Sequence, residues 1–178
     1  VRRGSLAFCE AEAEGAAVAE RHPDASLIAL RHGDERHVFA VRQVLRPDAV
    51  AVVGALRKAG LTIAILSGDR AEAVTAVAGA LDIADATGGL KPADKMARLD
   101  ALKADGKRVL MVGDGLNDAP ALARAHVSMS PITAVHLTQA AADAVFLGDR
   151  LAPVAHALAV SRTALRLMKE NLWIAVVY

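Results

Sequence analysis

Three stretches carry residue types that could act on a phosphoryl group: Ser67-Gly68-Asp69, Lys95, and the run Gly113-Asp114-Gly115-Leu116-Asn117-Asp118. Asp114 and Asp118 place two carboxylates four residues apart, with glycines that let the backbone come close to a ligand. Carboxylate, water and phosphate oxygens are the ligands Mg²⁺ takes. Ser67 adds a hydroxyl, and backbone N–H groups at a helix start can cradle phosphate. Lys95 could act as a point charge on the same group. Each stretch also has a plainer reading. Ser67-Gly68-Asp69 could be a turn with a helix cap, Asp114 and Asp118 a turn and an N-cap, and Lys95 a solvated helix lysine. The order of the set favours chemistry: hydroxyl, lysine and acid pair fall at successive strand–helix junctions.

The elements that must position them are legible from periodicity. Asp48 is placed to cap a helix with Val52, Val53 and Leu56 on its apolar stripe and Gly60 as its end. The apolar run 61–66 predicts a buried strand. A turn and a helix follow, with Val74, Val77, Ala78 and Leu81 on one face. Another helix carries Met96, Leu99 and Lys103 and stops at Gly106. The run 108–112 predicts a second buried strand, followed by a short helix near 119–125, a strand "VSMS", a helix near 133–142 and a strand 144–147. Apolar strands alternating with helices predict an α/β, Rossmann-like domain with one parallel sheet, the acids and the serine at its carboxyl ends. Residues 1–44 read instead as an antiparallel-containing piece of another domain, with a hairpin turning at a Gly-Asp pair. The expected divisions are therefore 1–44, 45–150 and 151–178. The last is one long helix, with Val154, Leu158, Ser161 and Leu165 in register and Arg162, Arg166 and Lys169 ahead of an apolar run. Basic residues beside an apolar run mark a cytoplasmic membrane edge, so the start of a transmembrane helix is expected here.

Composition narrows the partners. The chain of 178 residues is 54% hydrophobic, 23% charged and 3% aromatic, with a formal charge of +1. Few aromatics and no basic run argue against nucleic acid. Cys9 is the single cysteine, and the six histidines lack metal-ligand spacing, so no transition-metal site is expected within the chain. The start without Met and the abrupt apolar end suggest a piece of a longer protein.

The stretches "SGDR", "KPADK" and "MVGDGLNDAPALA" resemble the haloacid dehalogenase superfamily, and within it the phosphorylation domain of P-type cation-transporting ATPases. "LRPDA", "LRKAGL" and "ILSGD" are similar to the heavy-metal branch, and "AHVSMSP" with "AADAVFLGDRLAPVAHAL" to its copper subgroup associated with cytochrome oxidase assembly. The resemblance covers residues 42–178 well and 1–41 loosely, where "RRGSLAF" looks like the end of a nucleotide-binding region. It implies Asp114 as the Mg²⁺ ligand and Asp118 as a second acid supporting metal and hinge. It implies Asn117 near the phosphoryl group, Ser67 (usually Thr) bonding a phosphoryl oxygen, with Gly68 and Asp69 in the same catalytic turn. Lys95 would stabilise the transferring phosphate, and Gly4 would touch the nucleotide. The cofactors implied are ATP and Mg²⁺, and an aspartyl-phosphate would split the reaction into two steps.

Three departures stand out. Ser67 replaces Thr, Gln43 stands where an acidic hinge residue is usual, and "HVSMSPITAVHLTQ" lacks the Gly-Thr-Asp of other heavy-metal pumps. The family's Asp-Lys-Thr-Gly-Thr nucleophile segment does not occur in this sequence. The resemblance thus implies the rear part of a copper-translocating pump of a bacterial-type plasma membrane, on its cytoplasmic side. Its partners would be the rest of the same pump, the membrane and the transported ion, which binds elsewhere. Alone it is expected to be inactive. The competing reading is a soluble phosphatase of the same superfamily, and a third is a non-catalytic nucleotide-binding module.

Overall fold

The computed structural model describes residues 1–23, 25–42 and 44–177, so Gln43, expected at the hinge, lies outside the described residues. In chain order the elements are β1 (Arg2–Gly4), α1 (Leu6–Cys9), α2 (Glu12–Arg21), β2 (Ser26–His32), β3 (Glu35–Val41), α3 (Ala49–Lys58), β4 (Ala64–Leu66), α4 (Ala71–Ala80), β5 (Asp85–Thr87), α5 (Pro92–Ala104), β6 (Leu110–Val112), a 3₁₀ turn (Leu116–Asp118), α6 (Ala119–Arg124), β7 (Val127–Pro131), α7 (His136–Ala141), β8 (Ala144–Phe146) and α8 (Ala152–Val177). They fall into two compact units: Val1–Leu45 with Ile63–Lys91, and Arg46–Thr62 with Pro92–Tyr178.

The first unit contains the expected hairpin. β2 and β3 pair antiparallel with Ile28 opposite Phe39, and β1 adds to β2. The turn begins at Gly33, whose φ of 60° suits a residue without a side chain. Ala29 packs on Cys9 and Ala11, joined by Leu6 and Val38. The sequence did not announce α1 and α2. α2 is alanine-rich and buries only Gly15, so it has little apolar stripe to detect. A Cβ at Gly15 would stand 2.4 Å from a Leu6 methyl, so a larger residue there would have to push the Leu6 side chain aside. β4 and β5 form a parallel pair in this unit, with α4 burying Ala73, Val74 and Ala78. The strand anticipated over 61–66 is confined to Ala64–Leu66, and β5 is too short to be signalled by periodicity.

The second unit holds a three-stranded parallel sheet in the order β6-β7-β8. Leu99 of α5 and Leu122 of α6 close one core cluster with Met111 and Ala121. Met129, Phe146 and Val154 form another. The parallel strands are therefore divided between two sheets, where strand–helix alternation suggested one. Alternation fixes strand direction, but long-range hydrogen bonds decide which strands pair.

Asp48 differs from expectation. It precedes α3, yet its side chain caps no N–H of that helix. Its carboxylate instead accepts from Leu151 N at 2.9 Å and Ala152 N at 2.7 Å, at the start of α8. Arg162 donates to the Ala59 carbonyl at 2.8 Å, past the end of α3. The two helices consequently run parallel and are tied at both ends of their contact. Burial alone would raise the Asp48 carboxyl, but the Leu151 and Ala152 N–H donors and nearby Arg150 outweigh it and hold it below its ordinary value. Only the start of α8 packs: Val154 is buried, whereas Leu165 is 53% exposed despite sharing the register. Among the described residues no helix is long and apolar enough to cross a membrane.

Candidate functional site

The acid pair sits where β6 ends. Gly113 N–H donates to the Met129 carbonyl at 3.2 Å, carrying the sheet one residue past the strand. A Cβ on Gly113 would lie 2.9 Å from the Asp118 Cβ, so this position has room only for glycine. The chain then turns back on itself at Gly115. Its N–H donates to Asp118 Oδ2 at 3.2 Å, while its carbonyl accepts from Asp118 N at 2.9 Å. Thr138 Oγ1 donates to that same carbonyl at 2.9 Å. The 3₁₀ turn then runs into α6, started by Pro120.

These bonds give the two acids different surroundings. Asp118 is turned inward, and its Oδ1 accepts from Lys95 Nζ at 2.7 Å. Lys95 is 7% exposed, on the buried face of α5 with Leu99, which rules out the solvated-lysine reading of this residue. Asp114 points outward, with its side chain 67% exposed and Arg46 Nη2 3.7 Å from Oδ2. Arg46 also donates to the Asp149 carbonyl. Asn117 is exposed on the same turn. A carboxylate held outward beside a neutralised partner is able to receive a hard cation. Mg²⁺ is commonly bound by one or two carboxylates, with water and phosphate oxygens completing its shell. The exposed Asp114 carboxylate is an oxygen donor of the type that mode uses. Among the described residues no group of three or more His, Cys, Asp or Glu side chains is placed to hold a metal unaided. Behind the turn, α5 and α6 are braced by Arg124 Nε, 3.0 Å from both Asp100 oxygens. The Arg124 guanidinium holds the Asp100 carboxyl below its ordinary value and is itself raised.

Ser67, Gly68 and Asp69 belong to the first unit, at the carboxyl end of β4. Ser67 N–H donates to Thr87 O and its carbonyl accepts from Leu90 N, both at 2.9 Å. Its hydroxyl accepts from Asp69 N at 3.1 Å and donates to Asp69 Oδ2 at 3.2 Å. Ser26 Oγ donates to Asp69 Oδ1 at 3.1 Å. The turn is thus tied together by its own side chains. A Cβ on Gly68 would stand 3.3 Å from the Leu90 carbonyl. Next to it, Arg70 donates to the His22, Pro23 and Ala25 carbonyls. Gly4 closes β1, and a Cβ there would meet the Phe8 ring at 3.1 Å, so packing already accounts for it.

Arg46 and Thr138 were not singled out by the sequence as site residues. Arg46 had a signal, since it stands in "LRPDA". Thr138 had none, because it lies in the segment that departs from the familiar pattern.

Comparison with known proteins gives a consistent picture. The profile of the haloacid dehalogenase-like hydrolases matches residues 1–126. The nitrogen fixation protein FixI of Bradyrhizobium diazoefficiens is 55% identical over all 178 residues, which span 24% of that protein. The probable copper-transporting ATPase PacS of Synechococcus elongatus is 34% identical over 82% of this chain and 20% of its own length. This chain therefore spans about a quarter or less of these relatives. Among solved structures, a zinc-transporting PIB-type ATPase superposes with a TM-score of 0.74 at 26% identity, over 90% of this chain and 27% of that one.

Proposed function

Because the chain belongs to the haloacid dehalogenase-like hydrolase family, we propose that it carries the acid-pair and lysine part of the phosphorylation site of a P-type ATPase that moves a heavy-metal ion, copper first among the candidates. The observation that carries this reading is the buried Lys95–Asp118 pair at 2.7 Å beneath an outward-facing Asp114. Phosphoryl transfer needs chiefly positioning and charge neutralisation, and these residues offer both. Mg²⁺, when bound, would supply Lewis-acid neutralisation of the phosphoryl oxygens. Asp114 would hold the ion, and Asp118 would fix Lys95 and the turn behind it. Ser67 would donate its hydroxyl to a phosphoryl oxygen, with the Gly68 and Asp69 backbone around it, and Asn117 would hydrogen-bond near the phosphoryl group. Gly4 would sit against ATP. The copper assignment leans on relatives whose names include a copper-transporting ATPase. The same reading puts the site on the cytoplasmic side of a bacterial-type plasma membrane, with the rest of the pump as partner. The expected divisions 1–44, 45–150 and 151–178 are part of this proposal.

The test uses the complete gene product. Asp114→Asn is expected to abolish Mg²⁺-dependent phosphoenzyme formation from ATP, and normal labelling would remove Asp114 from its role. Stimulation of ATPase activity by Cu⁺, but not by Zn²⁺ or Cd²⁺, is expected; stimulation by Zn²⁺ alone would reassign the ion. Hydrolysis of a small phosphomonoester by the 178-residue chain alone would favour the phosphatase reading instead.

A further inference from the structure

We propose that Thr138 is a positioning residue for the Asp114–Asp118 turn, and that the β7–α7 segment serves to deliver its hydroxyl. The inference rests on the phosphoryl-site reading above. Thr138 is fully buried, and its Oγ1 reaches the Gly115 carbonyl at 2.9 Å. That carbonyl belongs to the residue between the two acids whose N–H binds Asp118. The Gly115 residue is consequently held at three points: two donors on its carbonyl, from Asp118 N and Thr138, and one carboxylate on its N–H.

Gly115 has room around it, with only the Asp118 carboxyl group close to where a Cβ would be. Packing therefore leaves its orientation to hydrogen bonds. Two of the three come from Asp118 itself and would move with the turn. Thr138 is the anchor outside it. The segment that presents Thr138 is also internally fastened. Gln139 Nε2 donates to the Ile132 carbonyl at 2.8 Å and the Ala134 carbonyl at 2.6 Å, and Thr138 N donates to Val135 O at 2.9 Å. This is the stretch "PITAVHLTQ", which lacks the usual Gly-Thr-Asp, and the structure gives it a task. Residues that orient a metal ligand without touching the metal commonly change metal affinity about 10- to 100-fold when lost, so an effect of about tenfold is expected.

The experiment uses the 178-residue chain with Mn²⁺ alone, a paramagnetic stand-in for Mg²⁺ whose free concentration is read by electron paramagnetic resonance. Amide hydrogen exchange at Gly115 and Asp118 is followed in parallel. Thr138→Val keeps the shape and removes the hydroxyl. It is expected to weaken Mn²⁺ binding about tenfold and to speed exchange at both amides, with an unchanged melting temperature; Thr138→Ser is expected to restore both. Wild-type Mn²⁺ affinity and wild-type exchange in Thr138→Val would overturn the proposal, as would failure of Thr138→Ser to rescue. Should Thr138→Val not fold, Thr138→Ala is read against Thr138→Ser in the same two measurements. Asp114→Asn separates the two ideas. If it leaves Mn²⁺ affinity unchanged, the metal-site reading fails, while faster exchange in Thr138→Val still supports the positioning role.

Discussion

Lys95 and Asp118 form a buried ion pair, 2.7 Å apart, with side chains 8% and 15% exposed. Such a pair adds little over an apolar replacement, but breaking it leaves one charge stranded. Lys95→Met should therefore cost about 3 kcal/mol in urea unfolding. Lys95→Met with Asp118→Leu should recover much of that loss, and a double-variant loss equal to the sum of the Lys95→Met and Asp118→Leu losses would show that the pair is not coupled. Gly113 gives a second test. Adding a methyl group at 2.9 Å from the Asp118 Cβ must displace that side chain. Gly113→Ala should cost about 1–3 kcal/mol and shift the Lys95 ammonium resonance as the pair opens. Both residues show the limit of reading types and spacing. The sequence supplied two acids four apart, but only the turn's hydrogen bonds decide that one faces Lys95 and the other faces outward.

Among the elements, the α3–α8 pair is the least expected. A carboxylate at Asp48 suggests a cap for the helix that follows it, yet the N–H groups it satisfies belong to the start of α8, about a hundred residues later. Because the Asp48 carboxyl lies below its ordinary value of 3.8, its contribution is complete above that pH and is lost as pH falls through the still lower folded value. The expected outcome is a loss of protection from hydrogen exchange, measured against the intrinsic rate at each pH, at the Leu151 and Ala152 amides as pH falls below about 3.8, with no such acid transition in Asp48→Asn, whose amides are already unprotected at neutral pH. Arg162→Ala should loosen the other end of the contact and leave Leu151 protected. The short strands teach a related lesson. The apolar run 144–147 already marked β8, whereas β5, three residues long and without an apolar run, is made a strand by its parallel pairing with β4.

At the scale of the whole chain, two compact units interleave along the sequence, each with its own core. The latter part of α8 stands apart from this packing. Leu165, Leu172, Trp173 and Ile174 are 53%, 66%, 70% and 64% exposed. An apolar surface of this kind favours association. A chain ending at Ala164 is expected to keep its melting temperature and to lose concentration-dependent self-association in sedimentation velocity; association that persists would place the contact elsewhere. The relatives are about four times as long as this chain or more, so surfaces exposed here are candidates for contact with the remainder of such a protein.

The sequence by itself determined the chemistry on offer and the direction of the strands. Gly-Asp-Gly-Leu-Asn-Asp after an apolar run can be little other than a strand end carrying acids, because residue type and local periodicity act over a few neighbours. The hairpin at Gly33, the helices bearing Val74 and Leu99, and the stop at Gly60 were legible for the same reason. The tertiary structure alone decided that Lys95 is buried against Asp118, that Asp48 caps a distant helix, that Thr138 anchors Gly115, and that the parallel strands divide into two sheets. Each of these joins residues from roughly twenty to a hundred positions apart. Such contacts are selected by the folded chain as a whole, through burial and hydrogen-bond partners that no local pattern encodes.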